Sequence, residues 1–533
     1  MFDSSLYYRL NNAFLGEGQS LDVINDGSGR IQMAATGDYS GQFWALVPRA
    51  DAKYSLHTAF LGDCFSLDVI NDGTNDTPWL APSGDFSGQL WELTPLDDGT
   101  YRLTNDFTGP SKALDTYGDS PNAPFLNTGD FSGQHWTLTP LSQIPSNAPI
   151  PALQPPSQGA ALTEGPTDYT VCARPVGSIA AAMLFVDFAN APAGTTSASD
   201  TADHLLRGSA TADDPLRGGA FQDRSFQDLY QQQSDGTVTI QVDVRADLGW
   251  RPMPQMSPPM SSAYDFHDFN KQKRYIADAI GLFSDIDLSS YPLVFVVAPE
   301  AAGFPDSPAF IAPPGQGVAM PGGGELRLGV TLGKDSYHNR FINLVHEVGH
   351  LFGLSDEYPF AGTGDDQVGC WSIMCDIFHS VSFLGWDRHK NGWLADSRKT
   401  YLVAPTENFY ATLTPLSGSC GLSMVVVPVG DPSNPSKVFV VELAQPVLGT
   451  DNQEWGEGVL VYTVDATVAT GHLPVVVFPK KVSFSNVYGN LYEAPYAVGD
   501  VIVETAGGTT LTVTVLERFG SSYNIKIDAV AAD

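Results

Sequence analysis

The chain has 533 residues, 43% of them apolar, enough for two to four folded domains rather than a single core. Its 27 Lys and Arg against 60 Asp and Glu leave a formal charge of −33, which disfavours nucleic acid and anionic lipid as partners. No apolar run reaches the ~18 residues of a membrane span, and MFDSSLYYRL lacks the basic start and apolar stretch of a signal peptide. The expectation is therefore no membrane insertion, with cytoplasmic residence or release by a non-classical route both open.

The first 141 residues repeat themselves. GDYSGQFW (37–44), GDFSGQLW (84–91) and GDFSGQHW (129–136) recur at a period of about 46 residues, each preceded by SLDVINDG, SLDVINDG or KALDTYGD. Short alternating runs separated by Asn, Asp and Gly predict β-hairpins. Three four-strand units would close around a pseudo-threefold axis, with Trp44, Trp91 and Trp136 in a shared core. This pattern resembles the ricin-type β-trefoil lectins, whose repeats carry Gln-x-Trp. The resemblance implies glycan or glycoprotein partners and sugar-binding pairs at Asp22 with Gln42, Asp68 with Gln89, and Asp115 with Gln134. Two departures stand out: Gly41, Gly88 and Gly133 replace the Asn that often precedes the Gln, and no stacking ring is obvious beyond Trp79 and Phe125. From 142 to 166 the text is Pro-rich and poor in large apolar residues, as an extended linker separating the trefoil from the rest would be.

Between 167 and 395 the periods change. Strands are predicted at 177–188, 237–244 and 291–299, a helix at 271–283, and long surface loops at 189–219 and 302–324, which together make an α/β layer. In DSYHNRFINLVHEVGHLFG, Phe341, Leu344, Val345, Val348, Leu351 and Phe352 form one apolar helical face, with Asp335 or Ser336 as the cap. His346 and His350 stand one turn apart on another face, so both imidazoles can reach one zinc ion, and Glu347 lies where a general base for a metal-bound water belongs. Gly353 can end the helix with positive φ, and Pro359 prevents its resumption, which returns LSDEYP along the site. The spacing HExxHxxGxxD favours Asp356 as third ligand over Glu357, its neighbour, which would face the other way.

HEVGHLFGLSDEY, CWSIMCD with Met374, FLGWDRHKNGWL, FVVEL and GEGVLVYTVD resemble, in this order, the immune inhibitor A zinc peptidases over about residues 174–465. The DEY ending is also similar to immunoglobulin A peptidases. The resemblance implies a metzincin-type zinc endopeptidase acting on protein or peptide substrates, with Met374 in a turn beneath the metal and bound Ca2+ as a structural companion. Tyr358 and His379 are candidates to steady an oxyanion. Recurrent apolar runs from 396 to 533 predict a β-rich, sandwich-like module, although FVVEL and GVLVYTVD are placed to complete the catalytic unit. Five cysteines form no even framework; Cys370 and Cys375 could pair, and two free thiols beside the site are an equal alternative. The rival reading is a defence-type lectin whose protease-like part is an inactive scaffold; an intact HExxH with a third ligand argues against it.

Overall fold

The computed structural model describes the chain except residues 1, 117–122, 145–148, 156–161, 209–223, 361–365, 381, 419, 445–446, 449–453, 456, 481–490 and 532–533. It is multidomain and mostly β. In the N-terminal unit, strands Leu6–Asn12, Trp44–Pro48, Tyr54–Thr58, Trp91–Pro95, Tyr101–Asn105 and Trp136–Gln143 pair antiparallel in a closed ring of six. Three hairpins, Gln19–Val23 with Ile31–Ala35, Phe65–Val69 with Pro78–Pro82, and Gly109–Asp115 with Phe125–Thr128, complete a trefoil-like unit. Trp44, Trp91 and Trp136 are fully buried, and their indole N–H groups donate to the Leu21, Leu67 and Leu114 carbonyls at 2.8–2.9 Å. Each repeat thus buries its largest apolar surface without orphaning the ring's polar atom.

The 142–166 segment does not hold this unit apart from the rest of the chain. Leu153 is buried in the core beneath the C-terminal sheet, the Gln154 N–H donates to Pro435, and Glu164 is buried against Trp386. The trefoil itself docks on strands Thr406–Leu413 and Thr509–Phe519: Phe43 stacks edge-on against Tyr410, Phe60 meets Phe519, and the Thr412 hydroxyl lies 2.9 Å from the Phe60 carbonyl. A Cys64–Cys420 disulfide fastens the contact, while Cys370 and Cys375 remain thiols. Of the two alternatives left open for Cys370 and Cys375, the structure has the free thiols, and the Cys64–Cys420 bond was not foreseen. Bonded residues 356 positions apart share no local spacing that a sequence could reveal.

The central sheet runs Val238–Val244, Gly177–Asp187, Leu293–Val297, Leu328–Leu332, all parallel, then the antiparallel edge strand Ala309–Ile311. Alternation along Gly177–Asp187 sends Ala181, Met183 and Phe185 to one face and Ala182, Leu184 and Val186 to the other. Helices α1 (Ala198–Leu206), α2 (Phe226–Gln233), α4 (Lys334–Asn339) and α5 (Phe341–Leu351) lie on the first side, and α3 (Phe269–Leu282) packs its Tyr275, Ile276, Ala279 and Ile280 on the second. Two stretches expected to be loops therefore carry structure, α1 in one and the edge strand in the other. The helix read through Asp335 is broken at Arg340, whose φ of 55° ends α4 and starts α5; Asp335 and Ser336 sit inside α4 and cap nothing.

Past α6 (Gly385–Lys390), two sheets face each other. One runs Lys399–Tyr401, Met424–Val429, Lys437–Leu443, Val459–Asp465, Val475–Val477, and the other Thr406–Leu413, Ser522–Ala531, Thr509–Phe519, Val501–Ala506. Val425, Val427, Phe439 and Val441 fill the space between the sheets. The opposite face, Met424, Val426, Val438, Val440 and Tyr462, packs on Trp371, Leu384 and Trp386 of the site region. A boundary at 396 therefore cuts through a continuous core.

Candidate metal centre

Helix α5 is held from three sides: the Tyr230 hydroxyl donates to the Val345 carbonyl at 2.7 Å, Asn343 donates to Asp335 at 2.9 Å, and Met374 lies beneath Gly349. A Cβ on Gly349 would stand 2.7 Å from the Met374 sulfur, so the glycine inside HEVGH leaves room for the methionine. Gly353 ends the region at φ 96°, as its position suggests, and leads into the segment 354–359.

His346 Nδ1 lies 2.8 Å from the Ile373 carbonyl and His350 Nδ1 lies 2.9 Å from the Leu354 carbonyl. Carbonyls only accept, so both Nδ1 atoms carry the protons and both Nε2 atoms present lone pairs. Those Nε2 atoms are 3.1 Å apart, and Asp356 Oδ1 is 3.2 Å from each. Three buried acceptors therefore converge on one point. Ligands of a tetrahedral zinc at ~2.0–2.1 Å stand roughly 3.3 Å from one another, so the triangle fits that ion. Among the described residues, His346, Glu347 and His350 also place one ligating atom each within 4.8 Å of the others. The tighter triangle with Asp356 is the better ligand set, because the Glu347 carboxylate accepts the Ala309 N–H at 2.7 Å and is held to one side.

Burial alone would raise Asp356, but the His350 and His346 imidazoles, in their protonated form with Nε2–H donating to Oδ1, hold it well below the usual carboxylate range, and a cation in place of those protons acts in the same direction. Burial pushes Glu347 up to about 8, against the pull of His346. Tyr358 lines the cleft with its ring 6.2 Å from that of His346, and burial, Asp356 and Glu347 keep its phenol protonated. It can therefore donate a hydrogen bond. His379 cannot do so in the cleft: it does not line it and is tied to Asp376 at 2.7 Å. That corrects its role as an oxyanion donor. Glu357 is buried and, unlike Asp356 and Tyr358 on either side of it, does not line the cleft.

The cleft has a volume of about 1050 Å³ and is walled by the edge strand through Ala309 and Ile311, by Tyr358 and Phe360, and by Ile377 and Phe378. Three contributions escaped the sequence reading because they come from distant segments with no spacing of their own. The Ala309 N–H orients Glu347; His267, paired with Asp306 at 2.8 Å, sits on the rim; and Thr470 grips Asp356. The Thr470 hydroxyl accepts from the Asp356 N–H at 2.8 Å and donates to Oδ2 at 3.2 Å, leaving Oδ1 for the histidines. Thr470→Val should weaken zinc binding by roughly 10–100-fold, the usual effect of losing such a partner, and Thr470→Ser should restore it; competition with a chromophoric chelator reads both.

The six proposed sugar contacts are arranged differently. Gln42, Gln89 and Gln134 are buried and donate to Asp22, Asp68 and Asp115 at 3.0–3.1 Å, while each aspartate also takes the next backbone N–H. The glutamines are thus buried locks within each copy. Gly41, Gly88 and Gly133 are explained by the same lock: a Cβ there would stand 1.9–2.2 Å from the aspartate oxygen. Trp79 and Phe125 are half-buried. The exposed rings at one shared position of the three copies are instead Tyr39, Phe86 and Phe131, at 55%, 59% and 54%, each laid over Gly37, Gly84 or Gly129. The signal was present, since all three occupy one position of the repeat.

No family model matches the chain, and no curated protein matches it. Among solved structures, a mosquitocidal holotoxin is 20% identical over 26% of this chain and 16% of its own length, with a TM-score of 0.23. The designed three-fold symmetric protein ThreeFoil is 28% identical over 25% of this chain and 99% of its own, with a TM-score of 0.22. A Polyporus squamosus lectin bound to a human-type influenza-binding epitope is 17% identical over 27% of this chain and 51% of its own, with a TM-score of 0.24. The chain spans less than a fifth of the holotoxin and about half of that lectin.

Proposed function

We propose that this chain is a zinc-dependent endopeptidase of the metzincin type, akin to the immune inhibitor A peptidases, with a trefoil-like unit that directs it to glycosylated substrates. The observation that carries the reading is the triangle of His346 Nε2, His350 Nε2 and Asp356 Oδ1 at 3.1–3.2 Å, with Glu347 beside it. When bound, zinc would supply a water acidified towards neutral pH and would polarise the scissile carbonyl.

The chain's own residues do the rest. An extended peptide can lie in the cleft alongside the edge strand Ala309–Ile311, which would bring a backbone carbonyl over the histidines. Glu347 is positioned to take the proton from the attacking water and to pass it to the leaving nitrogen. Tyr358, which lines the cleft with its phenol protonated beside Asp356, is the protein group we assign to donate to the developing oxyanion. The test is elemental analysis of the purified chain together with a peptide-library digest. One zinc per chain, cleavage lost with chelator and cleavage regained with zinc support the reading; metal-free protein that cleaves equally well defeats it.

Glycan targeting rests on Tyr39, Phe86 and Phe131, three rings held at fixed tilt on the surface where a sugar's C–H face can stack. Replacing all three by Ala should abolish retention on a glycan array without altering peptide cleavage in solution. An array on which the parent chain binds nothing rules this targeting out.

A further inference from the structure

The segment that leaves the trefoil reaches the cleft itself. Ile150 and Leu153 pack into the core beneath the C-terminal sheet, and the chain folds back so closely that a Cβ on Gly165 would stand 3.1 Å from Pro155. Three contacts then fix residues 163 and 164 against the segments that carry the metal ligands. Thr163 forms an antiparallel bridge with Ala469. The Lys390 ammonium donates to the Thr163 carbonyl and, at 2.8 Å, to the carbonyl of Gly353 just past helix α5. Glu164 accepts the Trp386 indole N–H at 3.0 Å. The bridge sets Leu162 opposite Thr470, whose hydroxyl grips Asp356, and Leu162 lines the cleft.

The same lacing brings in Phe360. Its N–H donates to the Gly471 carbonyl at 2.8 Å, and the Gly471 N–H donates to the Asp356 carbonyl at 3.0 Å. Three segments far apart in sequence are thus stitched into one side of the cleft, with Leu162 half-buried and Phe360 40% exposed. The acids of the cleft do not compete for the recognition of a side chain there. Asp306 is paired with His267 at 2.8 Å and Asp376 with His379 at 2.7 Å, while Asp366 accepts two backbone N–H groups and the Cys375 thiol at 2.9–3.0 Å. No lysine or arginine is among the described residues that line the cleft. What this wall offers a ligand is apolar surface to be removed from water.

We propose that Leu162 is a specificity-determining residue: with Phe360 it walls a subsite that takes a large apolar side chain, such as leucine or phenylalanine, of the bound peptide. The inference rests on the peptidase reading for its reaction. It makes the segment leaving the trefoil a part of the substrate site, although that segment lies almost 200 residues before the metal ligands.

The experiment uses the full zinc-loaded chain and a peptide set varied one position at a time between alanine and leucine or phenylalanine. At one position the parent should favour the large residue by about tenfold or more in kcat/KM, as an apolar pocket does. Leu162→Ala should reduce that ratio by about tenfold, with zinc content, Tm and rates on the alanine peptides close to the parent's. Leu162→Phe should move the preference towards smaller side chains. Fluorescence anisotropy of labelled peptides on the slowly cleaving Glu347→Gln chain, with and without Leu162→Ala, should show the same loss in Kd. A uniform fall on every peptide with the ratio unchanged would mean that Leu162 only supports the fold, and overturns the assignment. So does a parent with no apolar preference at any position. Should Leu162→Ala fail to fold, Leu162→Phe decides by the presence or absence of its shift. Cleavage without the preference defeats the subsite alone, binding with the preference but no cleavage defeats the peptidase reading alone, and neither cleavage nor binding defeats both.

Discussion

Replacing Glu347 with glutamine should lower peptide cleavage by roughly 10²–10⁴-fold, the usual contribution of a positioned general base. The substitution is nearly isosteric, and a glutamine side-chain oxygen can still accept the Ala309 N–H that holds Glu347 at 2.7 Å. His346, His350 and Asp356 are untouched, so zinc content and Tm should match the parent. The loss should fall on kcat, because the proton transfer happens in the transition state and not on binding. Single-turnover digestion of one synthetic peptide by metal-loaded parent and variant measures this. Equal rates would remove Glu347 from the chemistry.

Asp356→Ala should empty the metal site. It removes a ligand with its charge, so the fall in zinc affinity should exceed the ~10–100-fold expected for losing an outer partner such as Thr470. It also leaves two buried Nε2 lone pairs 3.1 Å apart with no carboxylate, and zinc-dependent stabilisation of the fold should disappear with it. Glu357→Ala is the informative comparison: zinc should remain, and Tm should fall. Zinc lost only in the Glu357 variant would reverse the assignment of the ligand.

The first half of the site was legible because its parts lie on one helix and the turn after it. Two histidines at i and i+4, a glycine able to take φ of 96° and a proline beyond it constrain the path of the chain in any fold. What brings Ile373, Ala309 and Thr470 to that path is tertiary packing, and none of them carries a local mark. The edge strand Ala309–Ile311 has three residues in a Gly/Pro-rich stretch, too few for a period to show. The helix break fell at Arg340, a residue type with no preference for positive φ, so the apolar rhythm on either side read as one helix. In the trefoil, repetition revealed the architecture and misdirected the site: residues that recur in every copy include those that lock the copy together, and Asp22 with Gln42 is such a lock.

The Cys64–Cys420 bond turns residues 64 to 420 into a covalent ring that contains both the 142–166 segment and the residues His346, His350 and Asp356. One backbone cut anywhere inside that ring separates no fragment. The two halves stay joined until the sulfurs are reduced, so a nicked molecule keeps its trefoil docked on strand Thr406–Leu413 and migrates whole on a non-reducing gel.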